Sequence, residues 1–342
     1  MRGHMRLFSS RAALAALSIA LAFAAPAQAQ SVESFYRGKT LQILSGYSVG
    51  GTDDLWARLL TKYMPLHLPG NPQGVTTNVP GAGSLLLANQ LYNTQPKDGT
   101  VIGGFNRGVP FEPLLGGIGT RFDAAKFNYI GSPDLDTLVC AARVDAPVQT
   151  LADLKTKELI VGGTGSGADS QAYPEFLANL LNLKIKLVQG YPGSREILLA
   201  MARNEVQGGC VSYDTIARTA EFRDKQIRIV FQAAPKADPR IDAPSVVDLA
   251  TTDQERSALQ LFLRRQQVGR PYAAPPNVPA DRLAALRAAF ADSMKDPAFL
   301  EEAKTAKLSP LYVAPAEIDA VLSDAYKASP EIVALTKKAM GR

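Results

Sequence analysis

Thr40-Leu-Gln-Ile-Leu-Ser-Gly-Tyr-Ser-Val-Gly-Gly-Thr-Asp-Asp54 is the stretch whose reading decides the fold. Thr40–Leu44 predicts a short strand, and Gly50 and Gly51 break it. Asp53 or Asp54 can then cap a helix whose Leu55, Trp56, Leu59, Leu60 and Tyr63 recur at helical spacing. A strand that feeds a helix through a glycine turn is the basic unit of an α/β domain.

The unit recurs along the chain. Val75–Val79 predicts a second strand, followed by Pro80-Gly-Ala-Gly-Ser84 and a helix through Leu91; Thr100–Gly103 predicts a third. The same grammar resumes after Asp145. Leu159–Val161 leads through Gly162-Gly-Thr-Gly-Ser-Gly167 into a helix with Phe176, Leu177, Leu180 and Leu181 on one face. Lys184–Val188 precedes a helix from Ser194 or Glu196 that turns Ile197, Leu198, Met201 and Ala202 inward. Val206–Val211 and Ile227–Phe231 follow as strands. The C-terminal stretch predicts four helices, Ala280–Met294, Pro297–Ala306, Pro315–Lys327 and Pro330–Met340, three of them opened by Pro at or beside the first turn. The expected fold class is therefore α/β with two domains.

The 342 residues are 46% hydrophobic and 20% charged, which excludes a disordered tail or low-complexity fibre and suffices for two cores. The net charge of +5 needs correcting before use. Arg2, Arg6 and Arg11 open the chain without an acid, Ala12–Ala25 is apolar, and Pro26 with Ala27-Gln-Ala29 forms a small-x-small pattern. This layout predicts a secretory signal peptide over residues 1–29, since the apolar run is short of the roughly 20 residues a spanning helix needs. Without it, 34 basic residues face 32 acidic ones, a charge of +2. No basic block with interleaved aromatics remains, so a nucleic-acid partner is not expected. Cys140 and Cys210 would lie in an oxidising compartment; a disulfide and a pair of buried thiols are both open.

Chemistry is scarce. Beyond residues 1–29, one histidine, His67, in a Pro-flanked loop, and two distant cysteines offer no metal cluster. Ser166 lacks the flanking glycine pattern of a nucleophile elbow, because Thr164 stands where Gly is required. Gly163-Thr-Gly165 has no Lys after it, so it is not a phosphate-binding P-loop. The turns at Tyr47–Asp54, Val79–Ser84 and Gly162–Ser170 instead read as anion cradles, where helix N-termini offer backbone N–H groups and positive partial charge. A binder without cofactor or metal is expected rather than an enzyme.

The ordered turns resemble those of the periplasmic receptors of tripartite tricarboxylate transporters, the Bug-type family. Tyr47-Ser-Val-Gly-Gly-Thr-Asp-Asp54 resembles their Gly-Gly-x-x-Asp turn, and Asn78-Val-Pro-Gly-Ala-Gly-Ser84 their Asn-x-Pro-Gly-Ala-Gly turn. Pro96-Lys-Asp-Gly-Thr100, Gly163-Thr-Gly165-Ser-Gly167, Gly190-Tyr-Pro-Gly-Ser194 and Gly269–Pro279 follow in the family's order. The resemblance implies a two-lobed type II periplasmic-binding-protein fold with a hinge and an interlobe cleft. Lobe one would comprise 30–140 and 265–342, with a return strand and the C-terminal helices, and lobe two 141–264. It implies a small carboxylate or dicarboxylate ligand, held by Tyr47, Ser48, Gly50, Gly51 and Asp54 in the first turn and by Gly81, Ala82 and Gly83 in the second. Lobe two would supply Thr164, Ser166, Ala168 and Asp169.

Val49 stands where the family often has Pro, Asp53 adds a second acid, and Gln207 replaces a common Asp. Arg107, directly after the third strand, is the best charged anion ligand, because a planar guanidinium makes two charge-assisted bonds to a carboxylate. Arg270 is a weaker second. Tyr213 and Asp214 could line the lobe-two wall, and Asp54 is expected to order its turn or hold a water. The resemblance further implies a monomer that delivers its ligand to membrane permease subunits in the periplasm. A role presenting the ligand to a histidine-kinase ectodomain is the alternative, and an exported hydrolase or isomerase the third reading.

Overall fold

A computed structural model describes residues 31–165 and 168–342. The expected signal peptide and Ser166 lie outside the described residues. Ten strands form two five-stranded sheets of the same design. The first runs in the order β2 (Gln73–Asn78), β1 (Thr40–Ser45), β3 (Val101–Gly104), β10 (Tyr272–Ala274), β4 (Asn128–Gly131). The second runs β7 (Ile185–Gln189), β6 (Leu159–Gly163), β8 (Gly208–Ser212), β5 (Leu138–Arg143), β9 (Ile227–Gln232). In each, three strands are parallel and joined by crossover helices, and one antiparallel strand is inserted fourth.

The chain passes from the first sheet to the second between β4 and β5. The expected division at residue 140 therefore runs through β5, all of which belongs to the second sheet. Strand β10 returns to the first sheet. This is the long-range step that no local pattern in the sequence specifies.

The helix Thr52–Tyr63 buries Trp56, Leu59, Leu60 and Tyr63, the face read from its periodicity. Neither Asp53 nor Asp54 is its cap, however; that position is Gly51, without a side-chain bond. Helix Ser194–Ala202 buries Ala200 in place of the expected Ala202, which faces solvent. Helix Asp253–Leu263 was not anticipated, although Thr252 and Glu255 form a reciprocal capping box at its start. It packs on the lobe-two helix Asp169–Leu181 through Phe262 and Phe176, whose rings stack with centroids 3.9 Å apart. The last helix, Pro330–Ala339, packs on both of these, and Asn179 donates to the Ala339 carbonyl. One apolar core thus joins residues of both sheets, from Leu87 and Phe105 to Val161 and Phe176.

Cys140 and Cys210 sit directly opposite each other on β5 and β8 and are joined by a disulfide. His67 Nε2 lies 3.0 Å from the Asp296 carboxylate, tying its loop to the start of helix Pro297–Thr305. No helix among the described residues is long and apolar enough to cross a membrane.

Candidate functional site

In parallel sheets ligands gather beyond the carboxyl ends of the strands. Here the segments after β1, β2 and β3 face those after β6, β7 and β8, and the lobes are closed on one another. Thr52 and Thr215 share a hydrogen bond of 2.7 Å across the cleft, and Arg218 donates to Thr52. A Cβ on Gly165 would lie 3.2 Å from the Gly83 nitrogen, and one on Gly193 would lie 2.7 Å from Ser48 Oγ. Glycine at both positions is what lets the second lobe approach so closely.

Two small chambers lie between the lobes, and Tyr47 and Thr164 line both. The first, about 220 Å³, is bounded by Gly81, Ala82 and Gly83 on one side and Gly190, Tyr191 and Pro192 on the other. No charged side chain lines it. Its floor is conformationally demanding: Ala82, Gly83 and Ser84 all have positive φ, of 47°, 62° and 70°. Non-glycine residues persist in this region only where surrounding contacts hold them. Ser84 is held by donating to the Gly83 carbonyl and accepting from Asn106 N, and it fits because Gly46 opposite has no side chain.

The second chamber, about 40 Å³, has room for about one water molecule. It is lined by Asp53, Asn106, Arg107, Asp169 and Arg270, among others. Arg107 is not a surface side chain. It is 3% exposed, its Nη1 donates to the Asp136 carbonyl at 2.6 Å and to Gln266, and its Nε lies 3.1 Å from Asp169. Burial opposes its charge, but Asp169 and other partners outweigh this and hold its pKa up. Burial dominates for Asp169 and drives its pKa upward against the pull of Arg107. Arg270 is gripped by Asp53 at 3.1 Å, Asp136 at 3.2 Å and Asp134.

The first two turns are stitched by side chains the sequence reading named. Asp54, 1% exposed, accepts from Gly50 N at 2.8 Å, from Arg58 and from Asn78; Asn78 also donates to the Tyr47 carbonyl. Burial raises the Asp54 pKa, and these bonds together bring it below the ordinary value. Asp54 therefore stands behind the turn and not in either chamber. Ser48, Gly50 and Gly51 form the lip against lobe two rather than a chamber wall, with Arg195 beside Gly50. Ala168 and Asp169 line the charged chamber. Tyr213 does not: it lines an outer groove of lobe two, beside Phe222 and under Arg240. Asp214 is buried near Asp136, away from both chambers, because Ser212 caps the short helix that begins at Tyr213 and turns it from the cleft.

Several chamber residues escaped the sequence reading. Asn106, whose amide donates to Tyr47 Oη, carried only its place beside Arg107 as a signal. Ser212 and Thr215 carried none, because their roles depend on the other lobe.

No family model and no curated protein matches the sequence. Solved structures do. MatC from Rhodopseudomonas palustris, with bound malate, superposes with TM-score 0.68 at 20% identity over 88% of this chain and 99% of that one. The periplasmic binding protein BugD gives 0.69 at 20% identity over 89% and 98%. The chain has the fold of the two-lobed solute-binding proteins. A further R. palustris protein of this fold, described with adipate, gives 0.67 at 17% identity over 89% and 97%. The solute-binding fold extends over nearly all of the described chain, including β10 and the C-terminal helices.

Proposed function

We propose that this chain is an exported receptor that encloses a small carboxylate between its lobes and delivers it to a membrane permease. The observation that carries this reading is the pair of interlobe chambers at the carboxyl ends of both sheets, one of them floored by a glycine turn. Such turns hold an anion by backbone N–H groups and helix N-termini, without a dedicated cation. Two proteins of the same fold are described with malate and adipate, which supports a carboxylate as the ligand class here. The layout of residues 1–29 supports export to the periplasm. Delivery needs no bond-making step.

A thermal-shift screen over carboxylates tests the proposal. A ligand at a hundred times its Kd stabilises the native state by about 2.7 kcal/mol, so a true ligand raises the melting temperature clearly. A screen in which sugars or cations shift the protein and carboxylates do not overturns it. Arg107→Ala, measured by calorimetry with the ligand so found, weakens binding at least tenfold, about 1.4 kcal/mol, because it also removes the Asp169 bridge that closes the lobes. An unchanged Kd removes Arg107 from the site.

A further inference from the structure

Strand β9 ends the second sheet and pairs with one neighbour, β5. Beside it runs an outer groove of lobe two, about 930 Å³, which shares no lining residue with either chamber. Ile227, Arg228, Ile229 and Val230 of β9 all line it. Successive side chains of a strand point to opposite faces, so four in a row place the groove along the strand's edge and not over one face of the sheet. Among the described residues that edge is closed only at its end, where Gln232 N donates to the Pro244 carbonyl at 2.9 Å. The edge strand in the same place of the first sheet, β4, is better covered. Arg287 donates to its Tyr129 carbonyl at 2.8 Å, and Ser132 just beyond it exchanges backbone bonds with Val313. An open edge is a template for another strand, and proteins ordinarily cover it.

The groove has an apolar floor and a basic rim. Ile241 is buried in it, and Phe222 and Ile229 are half-buried. Arg223, Lys225 and Arg228 are exposed at its border, and among the described residues none of the three is in an ion pair. A fourth cation, Arg240, is paired with Asp238 at 2.6 Å, and the one acid of the lining is Asp242. Glu221 and Asp224, in the adjoining short helix and its cap, do not line the groove. With Arg240 set aside, three cations face one carboxylate. Charge alone can guard an edge against pairing, but an apolar trough beside it is what the side chains of an added strand fill. A second copy of this chain, pairing through β9, would bring two basic rims together, so the rim favours a partner of opposite sign.

We infer that this edge docks an extended acidic segment of another protein, which joins the second sheet beside β9. The backbone of the segment pairs with Ile227–Phe231. Ile227 and Ile229 share one face of β9 and Arg228 the other, so the segment alternates apolar residues with Glu or Asp. Its apolar side chains pack against Ile229, Phe222 and Ile241, and its carboxylates meet Arg228, Lys225 and Arg223. Main-chain bonds supply affinity and the alternation supplies specificity. The surface lies outside the chambers, so it stands or falls apart from the ligand they take.

Selection of phage-displayed random decapeptides on the folded protein tests this. The expected result is enrichment of peptides that alternate acidic and apolar residues. The best of them, made synthetically, should bind at least tenfold more tightly by fluorescence anisotropy than a peptide of the same composition with its acids gathered in one block. Arg228→Glu and, separately, Lys225→Glu should each weaken it at least tenfold. Both side chains are exposed, and near-ultraviolet circular dichroism checks that each variant is folded. Amide hydrogen exchange should slow within Ile227–Phe231 when the peptide is bound. No enrichment, equal binding of the blocked peptide, or an unchanged Kd in both variants overturns the inference. So does a dimer in sedimentation that Arg228→Glu abolishes, which would give the edge to a second copy. Binding to phosphatidylglycerol vesicles that Arg228→Glu abolishes, without peptide enrichment, gives the rim to a membrane surface and overturns it too. The carboxylate screen, repeated on Arg228→Glu, should be unchanged, so failure here leaves the receptor reading intact.

Discussion

Asp54 shows how a residue can be essential to a site without facing it. Its carboxylate takes hydrogen bonds from Gly50 N, Arg58 and Asn78, and so holds the first glycine turn against the second. Asp54→Ala should cost about 1.5–3 kcal/mol, the range for bonds to a charged group, read as a lower midpoint in urea. The pH dependence has a definite sign. The folded pKa lies below 3.8, so the stabilisation is complete above that value and is lost as pH falls through the lowered pKa. Asp54→Asn should flatten this acid limb of the stability curve; an unchanged limb would show that other carboxylates govern it. The Gly-Gly-x-x-Asp spacing was legible, but its bonds to Asn78 were not, since they cross from the turn after β1 to the end of β2.

At the scale of elements, the strand–turn–helix units were readable because each is local. Periodicity, Pro at the first turn and Gly at the turn all act within about ten residues. Asp296 accepting from Ala298 N beside Pro297, and Ser329 accepting from Ile332 N beside Pro330, illustrate how compactly a helix start is written. The missed strand β4 and the unplaced partner of β10 are short and depend on each other across more than a hundred residues of chain. The turns that meet across the cleft belong to this scale too. Gly165→Val would drive a side chain into the Ala82–Gly83 backbone. We expect it to hold the lobes apart, raising the radius of gyration in small-angle scattering and weakening ligand binding, while the unfolding midpoint of the free protein stays close to that of the parent.

For the whole molecule, closure and the disulfide set the behaviour. Cys140 and Cys210 join adjacent strands of the second sheet across 70 residues of chain. Closing a loop of that size constrains the unfolded chain by about 4 kcal/mol in the entropic model. Thiol titration of the denatured, unreduced protein should find no free thiol, and prior reduction should lower the melting temperature. Two free thiols would refute the bridge. Cys210 also lines the charged chamber, so reduction should loosen that chamber as well as the lobe. The helix Pro330–Ala339, resting on helices Asp169–Leu181 and Asp253–Leu263, binds the end of the chain to the second lobe, and the two lobes share one apolar core.

By itself, the sequence determined the fold class and the order of the glycine turns, because these are written in local spacing and residue type. The tertiary structure decided which charges meet. Seen one at a time, Arg107 reads as the best charged anion ligand and Arg270 as a weaker second. Only the approach of segments far apart in the chain gives each its carboxylates, and so sets two arginines against two aspartates in the lining of one chamber. Local chemistry is fixed by neighbours in the chain; the charge of a cleft is fixed by neighbours in space.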